Sequence, residues 1–164
     1  MTLKQAIKGQ YHAGLEQLRQ CVDRCPEGVW VGGEHPRSYW RIAYHAAFYT
    51  HLYMQQYFEA FQQWDKARDT CKDLWGDPAV LEPYLRSEIM EYIDQVDSGV
   101  DATVEALDLD SADTGFPWYK DMAKLDHVLM NLRHLQGHVG QLSERLMAHG
   151  VDIDWVGKRA RAAV

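Results

Sequence analysis

The sequence predicts an all-α protein, a four-helix bundle with a long crossover between its second and third helices. In four long segments, apolar residues recur at spacings of three and four, which is the pattern of amphipathic helices. The sequence shows neither the alternation typical of strands nor an internal repeat. Its 164 residues suit one hydrophobic core. We therefore expect residues 1–164 to form a single domain, with a short C-terminal extension from about residue 150.

Periodicity, together with the residues that interrupt it, predicts four helices. These cover residues 3–25, 37–62, 83–107 and 120–149. Pro26 ends the first helix and Gly150 the fourth, because proline cannot continue a helix and glycine is favoured just after one. The segments 26–36 and 108–119 are predicted loops, since both contain glycine and proline.

The second helix differs from the others because its apolar residues run almost all round it. Such a helix lies in the centre of a protein or at a subunit interface, which predicts a homodimer. Residues 63–82 lack clear periodicity, so they are the predicted crossover, with at most one short helical turn.

Composition excludes several classes of partner. The formal net charge of −7 disfavours nucleic acids and anionic membranes, because both bind clustered basic residues. The one basic cluster, residues 158–161, is interpreted as a solvated tail. No apolar segment has the length of a membrane span or the features of a signal peptide, so we expect a cytoplasmic protein. Cys21, Cys25 and Cys71 form an odd set, which argues against a disulfide framework.

Histidines on the fourth helix are candidate metal ligands. His134 and His138 differ by about 40° around the helix and about 6 Å along it, so both can bind one ion. They lie at the edge of the apolar stripe, where a solvated polar face would give the same pattern. Asn131 and Gln141 share this edge, and either support the site or belong to that surface. Cys21 and Cys25, four apart, are a weaker metal pair, and packing explains them better.

His45 lies in the most apolar part of the second helix, between Tyr44 and Ala46. A polar ring in such surroundings needs a partner. That partner is either a backbone carbonyl or tyrosine hydroxyl, or a metal ion shared with the fourth helix. His51 lies about 120° away around the helix, so it cannot face the same point.

The segments Ser38–Tyr49 and Asn131–Leu142 resemble the DinB/YfiT-like proteins, four-helix bundles with a three-histidine metal site. The family has one histidine on its second helix and an H-x3-H pair followed by Gly-Gln on its fourth. The resemblance implies one divalent metal ion on His45, His134 and His138. His127 lies about 10 Å along the helix from His134, so we expect it outside the ligand set.

Three protein ligands leave open positions on the ion, as in catalytic sites. Zinc and nickel are the first choices, and iron, cobalt and manganese are alternatives. The resemblance implies a metal-dependent enzyme acting on a small molecule, since some members are transferases or isomerases that use a low-molecular-weight thiol. We expect a thiol-dependent transferase, with a hydrolase as the alternative enzyme. The alternative is a non-catalytic bundle that binds a ligand or partner and keeps the histidines as a structural or vestigial site. Tyr49 and Gln141 are the nearest candidates for an acid or base.

Overall fold

The computed structural model describes residues 1–158, and within that range every regular element is a helix and no strand occurs. Four long helices and one short helix of four residues form the structure. They are α1 (Leu3–Asp23), α2 (Glu27–Trp30), α3 (Tyr39–Tyr53), α4 (Arg86–Ala106) and α5 (Lys124–Met147). The prediction of an all-α protein is confirmed.

The long helices pack around one cluster of buried apolar side chains. Helix α1 packs against α4 and α5, and α3 packs against the same two helices, an arrangement compatible with a four-helix bundle. The DinB-like path of the crossover stays a prediction. Within residues 1–158, no helix is both long enough and apolar enough to cross a membrane.

The second predicted helix is shorter than expected, because α3 ends at Tyr53 and not at residue 62. Tyr57 has an extended backbone, and the Phe58 amide then donates a hydrogen bond of 2.9 Å to the carbonyl of Gly115. Aromatic residues beyond Tyr53 continue the apolar pattern of the helix, although they belong to the crossover. The fourth predicted helix starts late, at Lys124, because Asp121 has a positive φ of 59° that a helix cannot contain.

Helix α3 is buried on nearly every side by its own chain. Its apolar surface therefore gives no separate reason for a partner, and the homodimer stays a prediction. The predicted loop 26–36 contains α2, and the crossover contains the expected short turn, a 3₁₀-helix at Asp69–Cys71. A second one, Phe58–Ala60, lies in the segment predicted as helix.

Arg41 holds the crossover against α3. Its side chain is 1% exposed and donates hydrogen bonds to the carbonyls of Thr70, Asp73 (3.1 Å) and Ala79 (3.3 Å). A buried guanidinium must satisfy its donors, so this clamp fixes the backbone around residues 70–79. The same stretch lies beside His45.

The extension after α5 folds back on α1. Arg24 pairs with Asp154, and the Gln10 amide donates to the carbonyl of Gly157. Of the basic cluster at residues 158–161, Lys158 is exposed, as predicted. The remaining three residues lie outside the described range.

Candidate metal centre

Helices α3 and α5 bring the three predicted histidines together. His45 lies in the middle of α3 and is 2% exposed, while His134 and His138 lie one turn apart on α5 and are partly buried. The Nε2 atom of His134 is 3.1 Å from Nε2 of His45 and 3.0 Å from Nε2 of His138. All three donor atoms lie within 4.8 Å of one another. The histidines are therefore close enough to hold one metal ion.

The spacing of these nitrogens fits a shared ion. With metal–nitrogen bonds of about 2.1 Å, two ligand nitrogens lie about 3.0 Å apart at a right angle and about 3.4 Å apart at the tetrahedral angle. The observed distances of 3.0 and 3.1 Å are at the short end of this range.

Hydrogen bonds orient two of the three rings. The Nδ1 atom of His45 donates to the carbonyl of Lys72 at 2.5 Å, and Nδ1 of His138 donates to the Oε1 atom of Gln141 at 3.0 Å. A neutral imidazole with a proton on Nδ1 has its lone pair on Nε2. Both rings therefore direct an electron pair to the common point. Such outer partners are typical of metal-binding histidines.

The histidines are neutral at physiological pH. Burial lowers the pKa of His45 to about 3 and that of His134 to about 4. Burial also lowers the pKa of His138, and the positive charge of Arg37 contributes in the same direction. Neutral imidazole is the form that ligates metals, so the three rings need not lose a proton before binding.

Tyr49 and Trp75 border the histidines. Their ring centroids lie 4.6 Å and 5.9 Å from that of His45. The Tyr49 hydroxyl donates to Oδ1 of Asp73 at 3.0 Å, and burial together with this carboxylate raises the Tyr49 pKa. The Tyr49 hydroxyl is therefore protonated at neutral pH, and its proton is directed to Asp73. Sequence reasoning missed Asp73 and the Lys72 carbonyl, because the crossover carries no periodic signal.

The other polar residues considered in the sequence analysis contact groups away from the three histidines. Asn131 is buried and donates to the Tyr11 hydroxyl and to the carbonyl of Thr50, so it supports the packing of the bundle. His51 contacts the Tyr92 hydroxyl. His127 is fully buried among aromatic rings and lies outside the three-histidine group, as expected.

His12 pairs with a carboxylate on α4, which the sequence did not predict. Its Nδ1 atom lies 2.7 Å from Oδ1 of Asp97, and that hydrogen bond raises the pKa of His12. The buried thiols of Cys21 and Cys25 have pKa values raised by burial to about 12 and about 11. Metals bind thiolates, so packing remains the better explanation for this pair.

No protein-family model matches the chain, and neither the curated proteins nor the solved structures contain a match. The resemblance to DinB/YfiT-like proteins therefore rests on the sequence alone, and it stays a prediction.

Proposed function

We propose that this protein binds one divalent metal ion through His45, His134 and His138 and uses it to transform a small molecule. The observation that carries the proposal is the convergence of three Nε2 atoms, with hydrogen bonds orienting two of the rings. Within the described residues, no carboxylate or thiol joins this group. Three protein ligands then leave open positions, the pattern of catalytic ions.

The donor set favours zinc or nickel, and it also suits iron, cobalt or manganese. When bound, such an ion acts as a Lewis acid that polarises a carbonyl or favours the ionised form of a thiol or water. The Tyr49 hydroxyl lies beside the centre, and Asp73 orients it by accepting its hydrogen bond, which leaves the hydroxyl oxygen able to accept one from a bound molecule. The rings of Tyr49 and Trp75 border one side of the centre.

Transfer to or from a low-molecular-weight thiol is the reaction we favour, because the sequence segments resemble a family with such members. Hydrolysis is the alternative reaction. A non-catalytic binding protein is the alternative function, and it is favoured by the absence of a free base beside the histidines within the described residues. The buried free cysteines support a reducing compartment, and we propose the cytoplasm.

The first experiment measures metal content by mass spectrometry on untagged protein after reconstitution with zinc, nickel or cobalt. Wild-type protein should hold close to one equivalent, and His134→Ala and His138→Ala should each lose it. The matched control is His149→Ala, an exposed histidine just beyond α5, which should retain the metal. Sub-stoichiometric metal in wild type, unchanged in the two variants, would contradict the metal centre.

The second experiment separates enzyme from binding protein. Metal-loaded and chelated protein are compared in a screen that pairs several low-molecular-weight thiols with electrophilic small molecules, and hydrolytic substrates are tested in parallel. The transferase proposal predicts turnover that requires both metal and thiol. Turnover without thiol would favour a hydrolase, and inactivity of fully loaded protein would favour the binding protein.

A further inference from the structure

A cavity of about 650 Å³ lies between the C-terminal half of α3 and the two segments that follow α3 and α4. Its volume is that of a pocket for a small organic molecule. Most of its walls are aromatic rings, including Phe48, Tyr49, Tyr53, Phe58, Trp75 and Trp118.

Several of these rings are unusually exposed for their size. Trp75 is 62% exposed, Trp118 48% and Phe58 41%. Large aromatic side chains gain most when they are buried, and exposed apolar patches of this kind mark binding sites. The ring centroids of Phe58 and Trp118 are 5.0 Å apart, so the two residues form a continuous wall. The two ring planes are inclined at 74°, so they offer a face and an edge, and an aromatic ligand can stack on one ring while it meets the edge of the other.

The cavity also has a few polar groups, and these determine which charge it prefers on a ligand. Lys72 lines it and has no ion pair among the residues 1–158, and its Nζ atom lies 5.8 Å from the centroid of the Phe48 ring. The carboxylate of Asp69 already accepts a hydrogen bond of 2.8 Å from the Gln63 amide. A hydrogen bond from a neutral amide leaves the charge of Asp69 in place, so an anionic group on the ligand is expected at Lys72, where it gains a charge-assisted hydrogen bond, and away from Asp69.

Two residues join this cavity to the histidines. Tyr49 and Trp75 line the cavity, and their rings also contact His45. The Tyr49 centroid is 5.8 Å from that of His134 as well. A molecule stacked on Tyr49 thus lies one ring away from the metal-binding nitrogens.

We infer that the cavity binds an aromatic acid, a flat ring system with one carboxylate that pairs with Lys72, and presents it to the metal centre as the substrate. The presentation to the metal rests on the proposed function. Binding in the cavity itself needs no metal, because none of the three histidines lines it.

The test uses 2-naphthoate as the probe and the neutral 2-naphthalenemethanol as its matched analogue. Binding to metal-free protein is followed by tryptophan fluorescence and calorimetry. We expect saturable 1:1 binding, with the acid about tenfold tighter than the alcohol. Lys72→Met should remove this preference, and Trp118→Ala should weaken both compounds about tenfold. Trp155→Ala, 81% exposed on the C-terminal segment and absent from the cavity wall, is the control and should bind like wild type.

The inference fails if 2-naphthoate shows no saturable binding at millimolar concentration, or if Lys72→Met retains the preference for the acid. The variant His134→Ala tests the cavity independently of the proposed function. It should lose the metal and still bind 2-naphthoate. In cobalt-loaded wild type, 2-naphthoate should shift the visible spectrum of the ion. Cavity binding with an unchanged spectrum would overturn the presentation to the metal and leave the metal centre intact.

Discussion

Replacing His127 with phenylalanine should stabilise the protein, because this imidazole is buried without a hydrogen-bond partner. The His127 side chain is 0% exposed, and neither ring nitrogen has a partner. The rings of Tyr53, Phe116 and Tyr119 surround it, with centroids 5.0, 4.7 and 5.3 Å away. A buried polar atom without a partner costs about 1–3 kcal/mol, whereas a phenylalanine ring suits these neighbours.

At pH 7 we expect His127→Phe to raise the free energy of unfolding by about 2 kcal/mol, allowing for some strain from the larger ring. For a domain of this size, that gain corresponds to a rise in Tm of about 4–8 °C.

The variant should also resist acid better. Burial, and then the charge of Lys124, lowers the pKa of His127 to about 4 in the folded protein. The unfolded chain has the ordinary value of about 6.5, so it takes up a proton first as the pH falls. Stability is therefore lost between about pH 6.5 and pH 4, by about 1.4 kcal/mol per pH unit and about 3 kcal/mol in total. His127→Phe should lack this component.

Urea unfolding of metal-free wild type and His127→Phe, followed by circular dichroism across this pH range, measures both effects. Other buried histidines titrate in both proteins, so the difference between the two curves isolates His127. His149→Phe is the exposed control and should follow wild type. An unchanged pH dependence of unfolding in His127→Phe would refute the reasoning, whatever its stability at pH 7.

Three further predictions concern two residues that support the site and one glycine that fixes the packing of two loop segments. Gln141→Leu should weaken metal binding about 10–100-fold, because His138 loses the partner of its Nδ1 atom. Arg41→Met should lower the free energy of unfolding by about 2–4 kcal/mol and also weaken metal binding, since the clamped backbone carries the carbonyl that orients His45. Gly115→Ala should lower the free energy of unfolding by more than about 1 kcal/mol. The φ of Gly115 is +76°, and an added Cβ atom would overlap the carbonyl oxygen of Gln56. Competition with a chelating dye measures the affinities, and urea unfolding measures the stabilities.

Each of these variants has a matched control. Gln136→Leu, an exposed glutamine on the same helix, should leave metal affinity unchanged. Arg19→Met removes an arginine whose ion pair with Asp94 is partly exposed, and should cost less than about 1 kcal/mol. Gly137→Ala, on an exposed position of α5 with open space, should stabilise by up to about 1 kcal/mol. Equal effects in a variant and its control would contradict the assigned role.

The long helices could be predicted because their signal is local. Spacings of three and four residues follow from the geometry of the helix itself, so they marked α1, α4 and α5 to within a few residues. The same signal failed beyond Tyr53, where aromatic residues such as Phe61 continue the apolar pattern but pack from the crossover against Phe48. Periodicity cannot distinguish a buried helix from a buried irregular segment of similar composition.

The sequence by itself determined that the protein is helical, and the resemblance of two of its segments to the DinB/YfiT-like proteins indicated which three histidines could share an ion. The spacing of His134 and His138 is a property of one helix, and the apolar surroundings of His45 are visible along the chain. Only the tertiary structure decided that their Nε2 atoms converge, that the Lys72 carbonyl orients His45, and that Arg41 fixes the segment carrying that carbonyl. It also decided the aromatic cavity. The physical reason is that these contacts join residues far apart in sequence, so they depend on the path of the crossover over α3, for which the chain carries no repeating local pattern.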